Sequence, residues 1–223
     1  MAFIMPRDAG FRAAKRIRQG GRLDPRFRVF ADRFAEHYGF PPLDVVPDTI
    51  GRGPRLSVVL ERTAQYARFH TAAGNSDPRE QRTVARLFAA AVASLDACFG
   101  LTGVTSQTIF VCFDDFESVA VREVHDLAVR DDLDAFVTRL ELGDAFWCAR
   151  RFSGPPIVFV HTEDQAVAVR GSDRPKAWAD HYFALARRHD EFGFLRRDKI
   201  NIVVDSRQNF DANYASNWFY YFR

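Results

Sequence analysis

The stretch KINIVVDSRQNFDANYASNWFYYFR, Lys199 to Arg223, decides how the fold is read. Ile200, Ile202 and Val204 alternate with Asn201 and Val203, which predicts a strand with one buried face. A polar segment from Asp205 to Asn217 follows, and then the aromatic run Trp218-Phe219-Tyr220-Tyr221-Phe222. An exposed aromatic strand invites edge-to-edge aggregation, so the run has to be paired and covered. The C-terminus therefore reads as two strands that close a sheet, with a polar loop between them.

Working outward, Thr108–Phe113 (TIFVCF) is a nearly continuous apolar run and reads as a central strand buried on both faces. RLSVVLE, Arg55–Glu61, reads as another strand, and LDVVPDTI as an edge strand interrupted by Pro47. DAFWCARRF and PIVFVHT supply two more. The polar break His161-Thr162-Glu163-Asp164-Gln165, between IVFV and AVAVR, reads as a hairpin turn.

Helix signals punctuate these strands. Asp8 caps a basic helix ending at Gly20-Gly21, and Asp24-Pro25 opens a second with Phe27, Phe30, Phe34 and Tyr38 on one stripe. Asp77-Pro78 starts a third, amphipathic to about Gly100. Asp114-Asp115 caps a fourth; a short helix is expected over Asp132–Leu140 and a last one over Pro175–Glu191. These elements predict an α+β fold, a largely antiparallel mixed sheet of about six strands with amphipathic helices packed on it. The expected organisation is one domain over residues 1–223, with the helical segment 1–50 as a candidate subdomain and no internal repeat.

Composition narrows function mainly by exclusion. With 47% hydrophobic residues and 22 Phe in 223 residues, a sizeable core is expected and disorder is not. A formal charge of +2 offers no strong field for nucleic acid or anionic membrane. Lys occurs only at Lys15, Lys176 and Lys199; the dominance of Arg and the many Ala fit GC-rich bacterial coding. Cys98, Cys112 and Cys148 form no CxxC pair and read as buried free thiols of a cytoplasmic protein. MAFIMPRD lacks the apolar run of a signal peptide, and no window approaches a membrane span.

Two clusters are candidates for catalysis. Asp114, Asp115 and Glu117 in FDDFE sit at a strand end, where carboxylates can act as acid and base or hold a divalent cation; the same residues suit ordinary helix capping. His161, next to Glu163 and Asp164, is a candidate general base in what also reads as an exposed turn. No metal or cofactor is specified by any motif: GRGPR and RGSDRP lack the spacing of phosphate-binding loops.

The Asp205–Asn217 segment is the candidate partner-binding element, through Arg207, Asn209, Asp211, Asn213 and Tyr214. Tyr, Arg and Asn at this density are typical of recognition surfaces and also of turns. The leading expectation is a bacterial macromolecule-binding protein with a protein partner, of toxin-neutralising (immunity) or regulatory type. The alternative is a hydrolase or phosphoryl-transfer enzyme built on the acidic cluster. Nucleic-acid binding through Arg12, Lys15, Arg16 and Arg18 of the first helix comes third.

Overall fold

The structure, a computed structural model, describes residues 5–223; the first four, part of the stretch read for a leader, lie outside them. The fold is α+β. Among the described residues the strands form two three-stranded mixed sheets rather than one sheet of six. The chain divides into two compact units, Met1–Val119 and Ala120–Arg223. No helix among the described residues is long and apolar enough to cross a membrane.

The first unit opens with α1 (Ala9–Arg18), a turn of 3-10 helix at Pro25–Phe27 and α2 (Arg28–Tyr38), which Gly39 ends in the left-handed conformation at φ 84°. Strands β1 (Asp44–Ile50) and β2 (Gly53–Leu60) form an antiparallel hairpin. Then come α3 (Thr63–Ala67), α4 (Pro78–Ala89), α5 (Leu95–Phe99) and β3 (Phe110–Asp115), which pairs parallel to β2. The third predicted helix is therefore two pieces, interrupted before the Ser94 cap of α5. The apolar TIFVCF run is an edge strand, because the order β1-β2-β3 puts β2 in the centre. It reads as central because helices and loops bury Val111, Cys112 and Phe113 without a further strand beside it.

One sheet face, carrying Val45, Leu56, Val58, Leu60, Val111 and Phe113, packs with Phe30, Phe34, Phe69 and Phe88 into an aromatic-rich core. Register places Asp44, Val59 and Asp114 in one row on the opposite face. That face also carries Asp48, Arg55 and Ser57, since side chains alternate along a strand.

The boundary between the units falls inside α6 (Phe116–Thr138), a single 23-residue helix where two shorter ones were expected. In the second unit β4 (Phe146–Arg150) and β5 (Ile157–Val160) fall in the two apolar runs read as strands, and they pair antiparallel to each other. AVAVR, however, belongs to a helix, α7 (Glu163–Arg170), and not to a hairpin strand. Thr162 and Gln165 form a reciprocal capping box: each side chain accepts from the other's backbone N–H, at 3.3 and 2.9 Å. After α8 (Arg174–Ala186) the strand β6 (Val204–Ser206) pairs parallel to β5.

The C-terminal stretch also departs from its reading. Only Val204–Ser206 is strand; the polar segment is mostly α9 (Arg207–Tyr214) and the aromatic run is α10 (Trp218–Tyr221). Ser206 Oγ accepts from Asn209 N at 2.9 Å, and Asn217 Oδ1 accepts from Phe219 N at 2.9 Å, so each helix starts on a side-chain cap.

The two units repeat one plan: an antiparallel hairpin, two or more helices, a strand parallel to the second, then a helix. The repetition reaches single hydrogen bonds. Thr63 Oγ1 donates to Asp115 Oδ2 at 2.8 Å, and Thr63 N donates to Glu117 Oε2 at 3.1 Å. In the second unit Ser206 Oγ donates to Glu163 Oε2 at 2.8 Å, and Glu163 N donates to Gln208 Oε1 at 3.1 Å. The first helix after the hairpin is thus tied in the same way to the helix that follows the parallel strand. Acid and hydroxyl have exchanged places across this tie.

Candidate functional site

The acidic cluster FDDFE divides by the pleat of β3. Asp114 points to the face that carries Ser57, whose hydroxyl hydrogen-bonds it, and it is only 4% exposed. Its Oδ2 is buried without a hydrogen-bond partner. Burial pushes this carboxyl up to about 7, against the opposing pull of Ser57 and Arg55. Asp44, in the same row, is likewise raised, mainly by burial.

Asp115 ends the strand and caps α6, accepting from Ser118 N at 3.1 Å and from Ser118 Oγ at 2.5 Å. With Glu117 it completes the tie to Thr63. Glu117 accepts a backbone N–H as Gln208 does in the second unit, whereas Asp115 accepts from a hydroxyl where Ser206 donates one to a carboxylate. Each tie keeps one hydroxyl-to-carboxylate bond, with the carboxylate supplied by Asp115 in the first unit and by Glu163 in the second. Among the described residues no group of three His, Cys, Asp or Glu is placed to hold a metal ion.

His161 lies in the second unit, in the exposed step between β5 and α7. Its backbone does the local work: N–H donates to Ala145 O and C=O accepts from Gln208 N, both at 3.2 Å. The imidazole is exposed and makes no hydrogen bond among the described residues.

The expected partner-binding residues lie along α9. Arg207 pairs with Asp211 one turn on, at 3.3 Å. Asn213 donates to Asn209 Oδ1 at 2.6 Å, and Asn209 donates to both oxygens of Asp205 at 2.9 and 3.0 Å. Tyr214 packs edge-on against Tyr221 at 4.8 Å. Arg207, Asp211 and Asn213 face solvent, whereas Asn209 and Tyr214 are half-buried and hold the helix in place.

Sequence reasoning missed the aromatic half of this surface. Phe159 of β5 is capped by Trp218 and Tyr221, each 5.2 Å away edge-on, so α10 covers the face of the second sheet opposite its main core. Tyr221 OH donates to Asp205 Oδ2 at 2.6 Å, and burial with that bond raises the phenol. Trp218 stacks on Phe210 at 4.0 Å and on Trp147 of β4 at 5.7 Å, and Phe222 stacks on Phe152 at 5.5 Å. Above these rings the surface stays apolar: Phe152, Phe219 and Tyr220 are 69, 67 and 53% exposed. Three guanidinium groups lie over ring faces, Arg150 over Trp218 at 5.5 Å, Arg207 over Trp147 at 5.4 Å and Arg223 over Phe219 at 5.3 Å.

The basic face of α1 is the outer side of an amphipathic helix. Phe11 and Ala14 are buried, Arg12 and Arg16 point outward, and Arg18 pairs with Glu61 at 2.9 Å. No protein-family model, curated protein or solved structure matches the chain.

Proposed function

We propose that the protein acts by binding an acidic protein partner through the aromatic and arginine surface of its second unit. The observation that carries this reading is the gathering of Phe152, Phe219 and Tyr220, all more than half exposed, beside three ring-stacked arginines. Exposed apolar patches of this kind mark interaction sites, and aromatic residues with Arg dominate binding hot spots. Charge supports an acidic partner: Arg150, Arg207 and Arg223 outnumber Asp205 and Asp211; Arg207 pairs with Asp211, and Asp205 is hydrogen-bonded to Asn209 and Tyr221 within the unit. Trp218 itself offers no free face on which a nucleic-acid base could stack. Phe210, Trp147 and Arg150 already occupy the faces of Trp218.

A toxin-neutralising or regulatory protein of a bacterial cytoplasm fits this mode of action, and three cysteines outside any disulfide suit a reducing compartment. The alternative, a hydrolase or phosphoryl-transfer enzyme, has the raised carboxyl of Asp114 in its favour. It lacks convergence, because Asp115 and Glu117 are engaged in the tie to Thr63.

Native mass spectrometry of the full chain, recovered from the cells that make it, tests the proposal together with an Arg150→Glu/Arg207→Glu variant. The expected result is a stoichiometric, acidic companion that salt weakens and the double variant loses, at nearly unchanged melting temperature. A companion retained by the variant, or a bare chain, would contradict the reading.

A further inference from the structure

A second feature lies in the first unit, independent of the aromatic surface. A cavity of about 450 Å³ opens between α4 and the segment leading into β3. Its apolar wall is Ala85, Ile109 and Val111, with Phe110 at its edge. Arg82 and Arg86 line the other side, one helical turn apart. Like charges at this spacing repel each other on a helix. Among the described residues neither arginine has a carboxylate partner; Arg86 reaches only Thr83 Oγ1, at 3.4 Å. The acids of the same helix end are committed elsewhere, Asp77 to Arg79 N at 2.8 Å and Glu80 to Tyr38 OH at 2.7 Å.

From this arrangement we infer that the cavity is a binding site for a small phosphate monoester with an apolar body. Volumes of this order hold small ligands against apolar walls with a few fixed polar groups. A dianionic phosphate has charge and oxygens for two guanidinium forks, whereas one carboxylate satisfies one fork. An extended peptide is a poorer occupant although β3 is an edge strand. The Gln81 side chain already donates to Val111 O at 2.6 Å, which closes the strand edge at that point.

The test is calorimetric titration of the full chain with hexyl phosphate, with hexanol and hexanoate as controls, joined to amide NMR shifts. Saturable one-to-one binding of hexyl phosphate is expected, with shifts confined to α4 and residues 106–111. An Arg82→Gln/Arg86→Gln variant should bind at least about tenfold more weakly while keeping its melting temperature. Absence of saturation at millimolar concentration, equal affinity for hexanoate, shifts at other residues, or unchanged binding by the double variant would overturn the assignment.

Discussion

Neighbouring acids of FDDFE have opposite environments, and the consequence can be measured at Asp114. Burial pushes the native carboxyl up to about 7, from a usual value of 3.8. The folded protein therefore keeps a proton that the unfolded chain has released over this interval. The stabilisation is fully present below the unfolded value and is lost as pH rises through about 7. Asp114→Asn should remove that loss and stabilise the first unit on the order of 1–3 kcal/mol above neutrality, as read by urea denaturation at several pH values. Equal pH dependence in variant and parent would contradict the assignment. The capping role of Asp115 was legible in the sequence, since Asp before a helix is ordinary capping chemistry. The burial of Asp114 was not: it depends on Ser57 and the β2 register, more than fifty residues away in the chain.

At the scale of elements, the main misreadings share a cause. AVAVR alternates like a strand, but caps decide where helices begin. Thr162 with Gln165, Ser206 with Asn209, and Asn217 with Phe219 N each satisfy backbone donors that a strand or loop would have left to other partners. The Thr-x-x-Gln signal was legible; it was outweighed by the apolar alternation after it. The aromatic run is only partly covered, against its expected pairing: Trp218 and Tyr221 lie on Phe159 as part of a helix, while Phe219 and Tyr220 stay more than half exposed. The surface it forms was hidden from sequence because Trp147 and Arg150 join it from β4. Ser206→Ala removes both the α9 cap and the bond to Glu163, and should cost about 1–2 kcal/mol in chemical denaturation. By contrast Tyr220→Ala, at a mostly exposed ring, should change stability by less than about 0.5 kcal/mol. A larger loss would mean that the ring belongs to the fold.

At the scale of the molecule, the two units share a plan but carry opposite buried titrations. In the second unit His125 is 5% exposed, hydrogen-bonds Tyr182 OH at 2.9 Å, and is lowered to about 4 by burial, with Arg151 adding to the shift and Asp126 opposing it. The imidazole stays neutral in the fold while the unfolded chain takes up a proton. This contribution is therefore complete above about 6.5 and is lost as pH falls toward about 4. Acidification from about 7 to 4.5 should thus favour the first unit and weaken the second. All three Trp, at positions 147, 178 and 218, lie in the second unit, so tryptophan emission follows that unit alone. Hydrogen exchange resolved by unit should show protection rising in one and falling in the other; parallel changes would contradict the pairing. The α+β class was legible from the helix signals and strand runs. The division into two sheets was not, because six short strands of similar pattern carry no mark of their partners.

The most direct test of partner binding is photo-crosslinking in the cells that make the protein. A benzophenone amino acid is placed at Tyr220, and in a control at Val167, which is 56% exposed on α7 in the same unit. The account predicts one acidic protein crosslinked from position 220, none from 167, and loss of that product on Arg150→Glu/Arg207→Glu. Equal crosslinking from both positions, or a product indifferent to the charge reversal, would contradict the assignment of this surface as the binding face.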